Sequence, residues 1–114
     1  MINLWNETIK KLEENNKSWK DVIIIYGEDF QITKRIFKLI SKKTEYIDGF
    51  GRPDIAIDLT IIGTDFVMYR KEYNGAEFWE FIPTTFSIPK EFKKITTLGG
   101  GRRNTLKELN QKKG

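Results

Sequence analysis

The chain has 114 residues, 39% of them hydrophobic and 13% aromatic, with a formal net charge of +4, a size and composition that fit one domain around one hydrophobic core. Cysteine and histidine are both absent, which excludes disulfides, thiolate and imidazole metal sites, and nucleophiles activated by imidazole. No run of about 18 apolar residues occurs and the N-terminus lacks the pattern of a secretory signal, so the expectation is a cytoplasmic protein with no membrane partner, cofactor or metal.

Ile2, Trp5, Ile9 and Leu12 recur at helical spacing and predict an amphipathic helix over residues 2–15, ended by Asn15 and Asn16. Ser18, Trp19, Lys20 and Asp21 then lead into residues 22–26, a short β-branched run closed by Gly27 that has the pattern of a buried strand. After a turn at Glu28 and Asp29, residues 30–32 return as a brief strand. Thr33 is the N-cap of a helix over residues 34–42 that buries Ile36, Phe37 and Ile40. The outer side of this helix carries Lys34, Arg35, Lys38 and Lys42, with Lys43 beyond, and no acid lies between Thr33 and Thr44. A loop containing Gly49, Phe50 and Gly51 delivers the chain to residues 55–82.

The stretch IAIDLTIIGTDFVMYRKEYNGAEFWEFI, residues 55–82, predicts three antiparallel strands. Asn74 and Gly75 suit a two-residue type I′ turn, which demands positive φ at both positions. That turn sets Tyr73 opposite Ala76, and in succession Glu72 opposite Glu77, Lys71 opposite Phe78, Arg70 opposite Trp79, Tyr69 opposite Glu80 and Met68 opposite Phe81. Gly63, Thr64 and Asp65 make the preceding turn. Strict alternation over residues 55–62 sends Ile55, Ile57, Leu59 and Ile61 to one face. The expected fold is therefore α+β, a small, mainly antiparallel sheet with both helices on one face and Ile57, Leu59, Ile61, Met68 and Phe81 in the core.

Pro83 and Pro89 make residues 84–98 irregular, with an edge-strand piece at 95–98. Gly99, Gly100 and Gly101 divide a domain of residues 1–98 from a flexible basic tail of residues 99–114, in which Thr105 and Glu108 form a capping box. From residue 102 onwards Arg102, Arg103, Lys107, Lys112 and Lys113 face one acid, Glu108, a net +4 that equals the charge of the whole chain.

The central block resembles a family of small proteins encoded by bacteriophages and prophages of Gram-positive bacteria. The likeness is carried by Gly49, Phe50 and Gly51, by Ile55, Ala56, Asp58, Leu59, Ile61, Ile62, Gly63 and Asp65, and by Arg70, Glu72, Tyr73, Asn74, Gly75, Glu77, Trp79, Glu80 and Phe81. It implies a phage accessory product that acts by binding and disabling a host protein, such as a nucleic-acid-targeting defence complex, in the manner of an anti-CRISPR.

Two functional classes follow. The leading expectation is a non-enzymatic binder whose protein contacts lie on the hairpin at Tyr69, Arg70, Glu72, Tyr73, Glu77 and Phe78, with Arg70 laid on Trp79 as a cation–π pair. Glu72 and Glu77, directly opposed, suit a basic patch on the partner. The alternative is a small nucleic-acid-binding module that uses Lys34, Arg35, Lys38, Lys42, Arg102, Arg103 and Lys107, with Trp19 or Tyr46 as stacking groups and weak, nonspecific affinity. Two enzymatic patterns are poor fits. Pro53 and Asp54 with Glu91, Phe92 and Lys93 imitate the elements of a Mg²⁺ nuclease, but the second set follows a proline in an irregular stretch. The glycines before Arg102 lack the Lys-Ser/Thr ending of a phosphate-binding loop.

Overall fold

The computed structural model describes residues 1–47, 52–84 and 89–111. The loop glycines at 49 and 51 with Phe50, and Lys112 and Lys113 of the tail, lie outside these ranges. The fold is α+β, with helices and two antiparallel sheets. Among the described residues no helix is long and apolar enough to cross a membrane.

A two-residue strand β1 (Ile2–Asn3) runs directly into helix α1 (Leu4–Glu14). The predicted helical start at residue 2 is thus corrected. The Asn3 side chain accepts the backbone N–H of Asn6 and caps the helix, which leaves Ile2 and Asn3 extended to pair with β4 (Glu45–Tyr46). Asn15 is the C-cap, and Asn16 takes a left-handed φ of 60°, a conformation that asparagine tolerates better than most residues. A 3₁₀ turn (Trp19–Asp21) follows, and then β2 (Val22–Tyr26). Next come β3 (Gln31–Ile32) and α2 (Lys34–Ser41), the latter capped by the Thr33 hydroxyl accepting from Ile36 N–H.

The main sheet is completed by β5 (Thr60–Gly63), β6 (Phe66–Tyr73) and β7 (Ala76–Pro83), in the spatial order β3-β2-β5-β6-β7. The β6–β7 register is the one that the Asn74–Gly75 turn dictates, from Tyr73 with Ala76 to Phe66 with Pro83. Both turn residues have positive φ, 51° and 83°.

The strand expected from residue 55 begins only at Thr60. Asp54 and Ile55 give their backbone N–H groups to the Glu77 carboxylate, and the Asp58 side chain accepts from Glu28 N–H. These bonds hold residues 54–58 out of the ladder, so the period of two is lost. Ile57, expected in the core, is 76% exposed, whereas Ile55 and Ile61 are buried.

The core is formed by Leu4, Leu12, Val22, Ile25, Phe37, Tyr46, Ile55, Ile61, Phe66, Met68 and Trp79, with Leu59 and Phe81 packed partly buried against it. Both long helices lie on the sheet face that bears these residues. In α2 only Phe37 and Ser41, one turn apart, are buried; Ile36 and Ile40, expected inside, are about half exposed because they flank that line. No strand forms over residues 95–98. The Asn110 side chain accepts from the backbone of Thr96 and Thr97 and donates to Thr97 O, so the tail with its short helix α3 (Leu106–Leu109) is tied back across the glycines.

Candidate interaction surfaces

The hairpin residues divide between a buried network and an open face. Arg70 belongs to the first, since its side chain is only 4% exposed. Its Nη1 donates to Glu7 Oε1 at 3.1 Å, and its Nη2 donates to Tyr46 Oη at 3.2 Å and to Glu77 Oε1 at 3.1 Å. Tyr46 in turn donates to the same Glu7 oxygen at 2.8 Å. The guanidinium lies over the rings of Trp79 and Tyr46, 4.9 and 5.6 Å from their centroids, as the cross-strand pairing predicts for Trp79. Trp79 Nε1 donates to Thr8 Oγ1, which itself donates to Leu4 O.

Burial alone would lower the affinity of Arg70 for its proton, but its bonds to Tyr46, Glu7 and Glu77 outweigh this and hold it charged. Burial pushes the Tyr46 phenol upward from its ordinary 10.0. The cluster ties α1, β4, the 54–55 bend and the hairpin into one body. Arg70 and Glu77 are interior groups, which corrects their assignment as surface anchors, and Tyr46, 1% exposed, is closed to nucleobase stacking. The opposed Glu72 and Glu77 avoid repulsion because they diverge in environment, Glu72 to solvent and Glu77 to Arg70.

Neither Glu7 nor Thr8 was legible as a functional position. The signal was the four-residue spacing of Leu4, Thr8 and Leu12, all buried, in which a threonine stands where a helix turns an apolar line inward.

The second face of the sheet carries further hairpin residues. Pairing aligns Ile24, Ile62, Val67 and Ile82 as an aliphatic row across four strands, and Tyr26, Thr60, Tyr69 and Glu80 as the next. Lys71 with Phe78 and Tyr73 with Ala76 follow towards the turn. These side chains are half-buried or exposed, with Tyr73 at 69%, while α1 and α2 cover the opposite face. At its β2–β3 end the open face is hollowed by about 470 Å³, lined by Ile24, Tyr26, Phe30 and Ile62 with Asp29 and Gln31. Of the six predicted protein contacts, Tyr69, Tyr73 and Phe78 share this face, while Glu72, near the hairpin tip, is on the opposite face with Arg70, beside Pro53, Ile55 and Ile57.

A basic surface lies on α2. Lys34, Lys38 and Lys42 recur every fourth residue on one side of the helix, with Lys34 Nζ 5.1 Å from the Trp19 ring and Lys38 and Lys42 5.5 and 5.7 Å from Trp5. Trp19 stacks on Phe37 at 5.6 Å and meets Trp5 edge-on at 4.9 Å, which makes one aromatic bed under three ammonium groups. Lys34 also donates to Trp19 O. Arg35 is exposed on the crest. On the far side of α2, Ile36, Phe37 and Ile40 face Ile55, Ala56 and Leu59 across an apolar groove of about 360 Å³.

Arg102, Arg103 and Lys107 of the tail are exposed, and the Thr105–Glu108 capping box of α3 closes locally beside Lys107. Among the described residues no hydrogen bond or ion pair joins the two nuclease-like elements. Asp54 uses its backbone on Glu77, and exposed Glu91 and Lys93 pair with each other at 3.9 Å. Among the described residues no group of His, Cys, Asp or Glu side chains is placed to hold a metal. No protein family, curated protein or solved structure matches the chain.

Proposed function

We propose that the protein is a non-enzymatic accessory protein of the phage type that docks a host protein on the open face of its sheet. The observation that carries this reading is the aliphatic row from Ile24 to Ile82 lying beside Tyr26, Tyr69, Tyr73 and Phe78, an aromatic and aliphatic surface that the helices leave uncovered. Tyrosine is enriched at interface hot spots because it presents a large apolar ring with a polar tip at little entropic cost. The resemblance in the central block supports a nucleic-acid-targeting defence complex of the host as the partner.

The test is recovery of the partner from bacterial cells expressing tagged protein. Tyr69→Ala combined with Tyr73→Ala abolishes co-elution, while Lys38→Gln combined with Lys42→Gln leaves it intact. The opposite pattern, with nucleic acid in the eluate, would place function on α2.

A second reading is favoured by the α2 surface. Its lysines repeat at four residues, about 6 Å along a helix axis, above two indoles, the combination of regularly spaced cations and aromatic rings that suits a single-stranded nucleic acid. The readings differ in salt dependence, as argued below.

A further inference from the structure

Helix α2 turns apolar as well as charged side chains to solvent. Phe37 and Ser41 are its buried residues, and at about 100° per residue Leu39, midway between them in sequence, points directly away from the core. Leu39 is 50% exposed, and Ile36 and Ile40, to one side of it, are 47% and 53% exposed. Arg35 and Lys42 adjoin Leu39 on the other side, with Lys38 behind them, and Lys43 follows at the helix end; all four are exposed. No acid lies between Thr33 and Thr44.

We propose that this face of α2 rests on an anionic membrane surface. Leu39, Ile36 and Ile40 enter the boundary between headgroups and acyl chains, and Arg35, Lys38, Lys42 and Lys43 meet the lipid phosphates. A helix whose apolar and cationic stripes run side by side, at low net hydrophobicity, suits the plane of such an interface. Crossing a bilayer takes a long apolar run; lying on one does not. The helix and the open face are on opposite sides of the sheet, so a chain held to a membrane through α2 keeps its tyrosines turned to solvent.

The cations alone do not distinguish lipid phosphate from nucleic-acid phosphate; the apolar crest does. A single-stranded nucleic acid stacks its bases on aromatic rings, and an exposed leucine flanked by isoleucines offers it none. The rings nearest the lysines, Trp5 and Trp19, are half-buried and pack on each other and on Phe37. Ile36 and Ile40 also form one lip of the apolar groove of about 360 Å³, whose other wall includes Ile55, Ala56 and Leu59 and whose one charged lining residue is Asp54. Apolar surface thus continues from the crest of the helix into a hollow that an acyl chain can enter.

The test is co-sedimentation of the full chain with vesicles, phosphatidylcholine alone against phosphatidylcholine mixed with phosphatidylglycerol. Binding is expected to the anionic vesicles only, and to weaken as salt rises. Lys38→Gln combined with Lys42→Gln lowers the affinity about 25-fold, two cations at about fivefold each. Leu39→Ser, at an exposed position, lowers it about fivefold through the lost apolar contact. Tyr69→Ala combined with Tyr73→Ala leaves vesicle binding unchanged, so this proposal and the docking of a host protein stand or fall separately. No binding to the anionic vesicles, or equal binding to both kinds, would overturn the proposal. Binding indifferent to Leu39→Ser would do the same, because it is the charge attraction that the basic tail supplies without α2. Binding of short single-stranded RNA that is unchanged by Leu39→Ser and that anionic vesicles fail to displace would give the face to nucleic acid instead.

Discussion

At the scale of single residues, Arg70 shows what a register can and cannot reveal. Its place opposite Trp79 was readable from the Asn74–Gly75 turn, but its burial was not, because Glu7 and Tyr46 reach it from 63 and 24 residues away. A buried charge with its partners intact adds little net stability, whereas removing one side strands the other. Arg70→Met, which leaves Glu77 without its ion pair to Arg70, is therefore expected to cost about 3–5 kcal/mol by urea denaturation. Combining it with Glu77→Gln should cost less than the sum of the single changes, because the two residues share one interaction.

Tyr46 gives a pH prediction at the same scale. Its phenol is held above the ordinary 10.0 by burial, so the folded chain binds that proton more tightly than the unfolded one. The stability this contributes is complete below pH 10.0 and is lost as pH rises towards the folded value. Alkaline unfolding should therefore coincide with a step in tyrosinate absorbance, and Tyr46→Phe should remove that step. The same substitution costs about 1–3 kcal/mol near neutrality, since Arg70 and Glu7 lose a shared partner.

At the scale of elements, the sequence was most legible where one local device decides the structure. Thr33 caps α2 through its own hydroxyl, the β-branched run of β2 has the predicted bounds, and the hairpin turn sets the whole β6–β7 ladder. Reading failed where a distant group competes with a local pattern. Residues 55–59 alternate as a strand does, yet the Glu77 carboxylate, fixed on β7 and neutralised by Arg70, captures the N–H groups at 54 and 55 and bends the chain. Two isoleucines that the pattern treats alike are separated by this bend. Ile61→Ala, at a fully buried site, is expected to cost about 2–5 kcal/mol. Ile57→Ala, at a site 76% exposed, should fall within about 0.5 kcal/mol of the unaltered protein. Paired denaturation curves check both, and equal losses would mean that the strand does begin at residue 55.

At the scale of the whole molecule, the question is where charge and apolar surface lie relative to each other. The net charge belongs to the tail, whose hydrogen bonds close between Thr96 and Asn110, while the three lysines over Trp5 and Trp19 sit on the folded body. The open face is on the other side of the sheet from α2, so the two candidate surfaces can be tested independently. If nucleic acid is bound through phosphate contacts, counterion release makes log K fall by about 0.7–0.9 per contact for each unit of log salt. Four or five contacts then weaken binding on the order of a hundredfold between about 50 and about 200 mM salt. Fluorescence anisotropy with short single-stranded RNA and DNA measures that slope. The protein-docking reading expects weak, sequence-blind binding that is lost when Arg102, Arg103, Lys107, Lys112 and Lys113 are neutralised. Partner recovery then persists, because Tyr69, Tyr73 and Phe78 lie on a different surface. Binding that survives about 200 mM salt, discriminates between sequences and falls with Lys38→Gln and Lys42→Gln would instead require contacts beyond phosphate. The indoles beneath those lysines are the groups placed to supply them, and that result would move the function from the sheet to α2.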